Sequence, residues 1–169
     1  AIPVRDYFFL NPKLGVTYSI ASNWQAYASF GRRGREPTRT DVLGGLSVTS
    51  FNIGDVRNVN SVAPEFVNDF ELGTRWQNEV LNIDFNLYYM DFENEIAPIG
   101  VYIPEGFYQV YENQAPSFRR GAELIFAYRP NSSWSVNGQF AYLDARISTY
   151  APAGQVVVYE DIRPILSPE

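Results

Sequence analysis

Three times in this chain two segments of alternating apolar and polar residues are joined by a handful of turn residues, and each pair is set apart from the next by a long irregular stretch. In the first pair Leu14, Val16, Tyr18 and Ile20 alternate with Gly15, Thr17 and Ser19. Beyond Ala21-Ser22-Asn23 the apolar set continues as Trp24, Ala26, Ala28 and Phe30 against Gln25, Tyr27 and Ser29. The second pair sets Phe70, Leu72, Thr74 and Trp76 against Asp69, Glu71, Gly73 and Arg75, then Leu81, Ile83, Phe85, Leu87 and Tyr89 against Asn82, Asp84, Asn86 and Tyr88. The third aligns Ala122, Leu124, Phe126 and Tyr128 with Trp134, Val136, Gly138, Phe140 and Tyr142 against Gly121, Glu123, Ser135, Asn137 and Gln139, with Ile125 and Leu143 breaking its polar face. A side-chain period of two with short joins means antiparallel hairpins, each with one apolar and one polar face. Trp24, Trp76 and Trp134 all sit beside the short turns. A row of indoles at one end of antiparallel strands is what a membrane interface selects, because the ring prefers hydrocarbon and the N–H wants water. The pattern predicts an all-β fold, an antiparallel transmembrane β-barrel segment of about six strands with short periplasmic turns and long extracellular loops.

Composition agrees with that reading and excludes others. The mean hydropathy of -0.21 is low for a helical membrane protein. Barrel strands alternate lipid-facing and lumen-facing residues, so a barrel needs no run of about 18 apolar residues. Without Cys there is no disulfide framework or thiolate chemistry, and without His the usual general base and the commonest zinc ligand are missing. Neither a catalytic site nor a resident metal or cofactor is expected. A net charge of -6 argues against a nucleic-acid partner, which needs a basic face.

Six strands do not close, since single-chain bacterial barrels start at about eight and an open edge in lipid leaves backbone groups unsatisfied. Residues 1–169 are therefore expected to be part of a β-barrel domain from a longer protein. The opening Ala1-Ile2-Pro3-Val4-Arg5-Asp6 lacks the basic and apolar regions of an export signal, which is expected to lie elsewhere. Three long loops are expected, at about 31–64, 93–117 and 146–163, the first with an apolar patch at Leu43 to Phe51 that suits a short local strand.

The densest charge feature is Arg32, Arg33, Arg35 and Arg39. Clustered guanidinium groups at a barrel mouth would attract an anionic ligand through bidentate bonds to carboxylate or phosphate oxygens. The structural alternative is pairing with inward carboxylates such as Glu71 and Glu123, or with anionic lipopolysaccharide at the rim. Tyr102, Phe107, Tyr108 and Tyr111 in the second loop suit stacking on a flat or sugar-like ligand, and equally suit packing within the loop. Asp91, Glu93 and Glu95 offer oxygen ligands to a hard cation, against a solvated rim as the simpler reading. Asn131-Ser132-Ser133 fits a glycosylation sequon but is read as turn chemistry, and Gly73 and Gly121 as relief of crowding on the lumen side or as marks of a bend.

Several stretches carry a resemblance. Asn11-Pro12-Lys13-Leu14-Gly15-Val16-Thr17-Tyr18, Tyr27-Ala28-Ser29-Phe30-Gly31-Arg32 with Arg35-Glu36-Pro37, Pro64-Glu65 through Phe70-Glu71-Leu72-Gly73, Asn86-Leu87-Tyr88-Tyr89-Met90-Asp91-Phe92 and Arg120-Gly121-Ala122-Glu123-Leu124 resemble, in order and spacing, the barrels of TonB-dependent outer-membrane receptors. The resemblance implies a barrel of about 22 strands around an N-terminal plug. It implies a bacterial outer-membrane location and uptake of a scarce nutrient such as an iron–siderophore chelate, haem, cobalamin or a glycan. Its implied partners are TonB, reached through the plug, outer-membrane lipid and lipopolysaccharide, and the small-molecule ligand. Plug, coupling box and terminal aromatic strand are not in these residues. Two other classes stay open at this point: a soluble antiparallel sandwich or lipocalin-like domain with its apolar face inward, and an outer-membrane enzyme or adhesin barrel.

Overall fold

The computed structural model describes residues 6–43, 62–103, 108–150 and 158–164, with the backbone alone at 99–103 and 108–110. In chain order the elements are β1 (Lys13–Ala21), β2 (Trp24–Arg35), α1 (Arg39–Leu43), β3 (Glu65–Gln77), β4 (Leu81–Glu93), β5 (Ile96–Ile103), β6 (Tyr108–Asn113), β7 (Ser117–Asn131), β8 (Trp134–Tyr150) and β9 (Tyr159–Ile162). The main sheet runs β1-β2-β3-β4-β7-β8-β9, antiparallel throughout, while β5 and β6 form a separate hairpin. Each strand pairs with the next in sequence except where the chain leaves the sheet to make that hairpin. This is the meander that short turns and the period-two pattern require. The sheet is open along β1 and along the part of β8 that β9 leaves uncovered.

The register carries the two-faced pattern across all six long strands. Val16, Ala28, Leu72, Leu87, Ala122 and Tyr142 fall on one row, and the next row, on the opposite face, is Thr17, Tyr27, Gly73, Asn86, Glu123 and Ala141. The apolar face is the uncovered one: Leu14 is 74% exposed, Leu72 57% and Phe140 65%. The polar face is hollowed, with concavities of about 340 and 360 Å³ lined by Lys13, Ser29, Arg33, Asp69, Glu71 and Arg75 among others. A soluble sandwich would bury its apolar face under a second sheet, and among the described residues no second layer lies there. This inversion, hydrocarbon outside and polar groups in the hollow, is the arrangement a barrel wall adopts in lipid.

Two aromatic girdles bound the apolar face. At the short-turn end Trp24 lies opposite Trp76, with the Trp24 indole N–H donating to Thr74 Oγ1 at 2.7 Å, and Trp134 is 68% exposed. At the long-loop end a ladder of rings crosses four strands: Phe30 to Phe70 at 5.0 Å, Phe70 to Tyr89 at 6.5 Å and Tyr89 to Phe118 at 5.9 Å between centroids. Six residues separate Trp24 from Phe30 and Trp76 from Phe70, which is about 20 Å of strand. That spacing suits an outward apolar band of about 25 Å.

The polar face is packed by rings set over glycines. A Cβ on Gly73 would stand 2.3 Å from the Tyr27 ring, and one on Gly121 would stand 2.2 Å from the Tyr142 carbonyl and 2.4 Å from the Tyr88 hydroxyl. The expected crowding at these two positions is therefore present. Ser133 N–H donates to Asn131 Oδ1 at 3.0 Å, an Asx turn that accounts for the Asn131-Ser132-Ser133 sequence.

The expected loops contain more structure than their composition suggests. Residues 93–117 hold the β5–β6 hairpin, entered through Asn94 in the left-handed region at φ 55°. Within the third expected loop β8 continues to Tyr150 and β9 returns to pair with it. In the first, β2 runs on to Arg35 and α1 follows. The suggested strand at Leu43 to Phe51 falls outside the described residues beyond Leu43, which ends α1.

Candidate ligand site at the long-loop end

Strand alternation decides which arginines share a site. β2 keeps its pairing with β3 through Arg35, so Arg32 points to the apolar face and Arg33 and Arg35 to the polar face. Arg32 donates to Asn68 Oδ1 at 2.7 Å, forms a forked pair with Glu93 at 3.3 and 3.1 Å, and lies 4.6 Å above the Phe66 ring. The hydrogen bond from Arg32 holds the Glu93 carboxyl below its usual value. Arg32 thus belongs to the outer rim, above the aromatic ladder.

Arg33 pairs with Asp69 at 3.3 Å; Asp69 is 8% exposed and its other oxygen, Oδ1, has no hydrogen-bond partner. Arg35 is the most engaged, donating to both oxygens of Glu65 at 3.3 Å and to Asp41 Oδ2 at 3.0 Å. Asp41 also closes a capping box: Thr38 N–H donates to Asp41 Oδ2 at 2.9 Å, and Asp41 N–H to Thr38 Oγ1 at 3.2 Å. That box, preceded by Pro37, starts a helix as short as α1, and it places Arg39 at the first helical position, exposed and without an ion-pair partner among the described residues. The carboxylates that pair with the arginines are Glu65, Asp69, Asp41 and Glu93. Glu71 instead accepts from the Ser29 hydroxyl at 3.3 Å.

Tyr111 is half-buried in β6, opposite Pro98. Tyr102 and Tyr108 lie on β5 and β6 and their side chains are outside the described residues, as is Phe107 altogether. The hairpin that carries them is tied down at its base. Gln114 N–H donates to Glu95 C=O at 2.7 Å, Ile96 N–H to Glu65 Oε2 at 2.8 Å, and Glu95 accepts from the Ser117 hydroxyl and the Arg119 guanidinium. The acidic trio separates: Asp91 and Glu93 are on the outer face, whereas Glu95 is held inside by Arg119. Among the described residues no group of acidic side chains is placed to hold a metal ion. A cavity of about 180 Å³ lies between hairpin and sheet, lined by Ile96, Pro98, Ile147, Tyr150 and Ile162.

Glu65, Asp41 and Asn113 escaped the sequence reading. The signal for Glu65 exists only in register, because it becomes visible once residue 65 is set opposite Arg35.

A two-faced antiparallel sheet with an aromatic girdle at each end defines a segment of a transmembrane β-barrel wall. Residues 2–161 match the family described as TonB dependent receptor-like, beta-barrel, and the chain belongs to that family. Its members are receptors and transporters of the Gram-negative outer membrane. Solved structures with the same fold include the copper transporter OprC (TM-score 0.64, 18% identity, 80% of this chain and 20% of that one). The siderophore receptor PirA from Pseudomonas aeruginosa is similar (TM-score 0.64, 14% identity, 80% and 25%), as is the alcaligin outer-membrane receptor FauA from Bordetella pertussis (TM-score 0.53, 18% identity, 85% and 23%). The chain thus spans a quarter or less of the length of these proteins. No curated protein sequence matches it.

Proposed function

We propose that this chain is part of a receptor in the bacterial outer membrane that imports a scarce nutrient by active transport energised by TonB, and that the cargo is an anionic iron chelate of the ferric siderophore class. The remaining strands and a plug that meets TonB are supplied by the rest of the parent protein. Outer-membrane lipid covers the apolar face, and lipopolysaccharide borders the rim at Arg32.

The observation that carries this reading is Arg33 and Arg35 at the long-loop end of the polar face, with Arg39 exposed at the start of α1, beside the hairpin that bears Tyr102, Tyr108 and Tyr111. Guanidinium groups bind the oxygens of an anionic chelate, and tyrosine rings stack on its flat groups. The siderophore receptors PirA and FauA share the fold, which favours this cargo, whereas the copper transporter OprC shows how widely cargo varies on one scaffold.

The test uses the intact receptor. Because Gln114 N–H already meets Glu95 C=O, residues 96–113 can be excised with a short Gly-containing join. Barrel assembly, read as heat-modifiable mobility in detergent, is expected to persist, while cell-surface binding of ferric chelates bound by the intact receptor falls about tenfold or more, the loss of several stacking and charged contacts. Unchanged binding would remove the hairpin from the site.

A further inference from the structure

We infer that Glu65 and Asn113 join α1 and the β5–β6 hairpin into one mechanical unit, so that the two order and loosen together. Glu65 sits at the start of β3, between the two. Its carboxylate receives Arg35 Nε and Nη2 at 3.3 Å each, and Arg35 in turn holds Asp41 of α1 at 3.0 Å; on the other side Glu65 Oε2 accepts the Ile96 N–H at 2.8 Å, the first amide of the hairpin. Asn113, the last residue of the hairpin, makes the second tie. Its Oδ1 accepts Ala63 N–H at 2.7 Å, and its Nδ2 donates to Ala63 C=O at 2.9 Å and to Asn94 C=O at 2.8 Å. Both ends of the hairpin are thereby fastened to residues 63–65, and of these Glu65 also anchors α1 through Arg35.

The packing follows the same lines. α1 lies against β6, and the buried apolar residues of this end include Leu43 of α1, Val62, and Ile96 of the hairpin. Glu65 is a sparing choice for the hub: its side chain is 15% exposed, and its two oxygens between them take three N–H donors. Charge-assisted hydrogen bonds of low exposure are among the stronger polar links, and two segments that share one acceptor share its loss. Asp41 connects this hub to the helix start as well, since it serves Arg35 and the Thr38 capping box at once.

The ligand consequence rests on the receptor reading above; the coupling itself does not. If anionic ligand is collected at Arg33, Arg35 and Arg39, ordering of α1 by that ligand also orders the hairpin carrying the tyrosines, and by reciprocity the hairpin's order favours the arginine site.

The experiment is amide hydrogen exchange on the intact receptor in nanodiscs, without ligand, so that its outcome is independent of cargo. The reporters are the Val42 amide, bonded to Thr38 C=O, for α1 and the amides of Ile96, Ala97 and residues 111–113 for the hairpin. Glu65→Ala is expected to speed exchange at both reporters by about tenfold, with the β4 and β7 amides unchanged. Asn113→Ala, which removes side-chain hydrogen bonds to Ala63 and Asn94 and none to α1, is expected to speed exchange at Val42 as well as in the hairpin. Should Glu65→Ala fail to assemble, Glu65→Gln, which keeps the shape and an acceptor for Ile96, and Asn113→Ala carry the test. Acceleration confined to the hairpin in Asn113→Ala, or to one segment in the Glu65 variants, would overturn the coupling. Coupled exchange with no chelate bound by any variant or by the intact receptor would leave the coupling standing and remove the ligand reading.

Discussion

The middle of the sheet and its long-loop end are built from the same strands yet are held together in opposite ways. In the middle, from the Trp24–Trp76 pair to the Phe30–Phe70 pair, nothing on the apolar face is buried by protein, and the interior residues that are covered, such as Gly73, lie on the polar side. At the long-loop end the chain makes a small core of its own, with Leu43, Val62, Ile96, Ala145 and Ile147 buried and Asp41, Ser117 and Asp144 buried beside them. The ion pairs concentrate there too. Asp144, on the outer face above the ladder, takes Arg146 at 2.8 Å and Arg120 at 3.0 Å, and the Arg146 hydrogen bond holds its carboxyl below the usual range. The difference teaches where the solvent changes. A wall that hydrocarbon will cover needs no second layer, whereas segments that rise into water must bury their own apolar residues and satisfy their own polar ones.

The sharpest way to break this contrast is to place a charge on each face at one height. Phe85→Arg in the intact barrel is expected to cost about 2 to 4 kcal/mol or to abolish assembly, because the guanidinium would face the bilayer midplane. The adjacent Asn86→Arg, on the polar face near Glu123, is expected to assemble normally. Equal damage from both, measured by heat-modifiable mobility and urea unfolding, would mean that the apolar face is a protein core.

Next in size are the glycines under rings. Gly121→Ala is expected to destabilise by about 1 to 3 kcal/mol, an overpacking penalty that removing Tyr88 does not relieve, because the Tyr142 carbonyl is backbone. Gly73→Ala should cost less and be eased in part by Tyr27→Ser, since the nearest clash is with that ring, although the Phe85 carbonyl at 2.7 Å remains. Rescue of both, or of neither, in a double-mutant series would contradict the packing described.

A smaller effect is expected at the loop end. Thr38→Ala removes the N-cap of α1 and should loosen that helix by about 1 kcal/mol, seen as faster Val42 exchange with unchanged barrel stability. A loss of barrel assembly would show that α1 is not separable from the wall.

The smallest concerns Arg32 and Glu93 on the outer rim. Glu93 has its carboxyl lowered from 4.5, so the pair's contribution is complete at neutral pH and fades as pH falls below 4.5 through the lowered folded value. The Glu93 side chain is half exposed, and the contribution is screened to about 1 kcal/mol or less. Glu93→Gln should therefore lower stability at pH 7 by about 1 kcal/mol or less, leave it unchanged in strong acid, and so flatten the acid limb slightly.

The wall was legible because its rule is local: a side-chain period of two names the faces, and Asn78 and Asn131, which accept the turn amides of Val80, Leu81 and Ser133, mark the short turns. The same rule, continued past Phe30, would have separated Arg32 from Arg33. The density of Gly and Arg there reads as loop, whereas the strand in fact persists to Arg35. The β5–β6 hairpin was hidden for a different reason. Pro98 and Gly100 break its alternation, and the pairing slips between Pro98 and Tyr102, so no periodic signal survives. Glu65 and Asn113 act through partners up to 50 residues away, and only register and loop geometry bring those together. The ladder from Phe30 to Phe118 is likewise a property of aligned strands.

The most direct measurement is a spin-label accessibility scan along β4 in the intact receptor reconstituted in lipid, one cysteine at a time from Ile83 to Tyr89. Collision with lipid-soluble oxygen is expected to peak at Ile83, Phe85, Leu87 and Tyr89, and collision with a water-soluble nickel chelate at Asp84, Asn86 and Tyr88, in a period of two. Peaks of nickel access at Phe85 and Leu87, or no alternation at all, would contradict the claim that hydrocarbon covers the apolar face of this sheet.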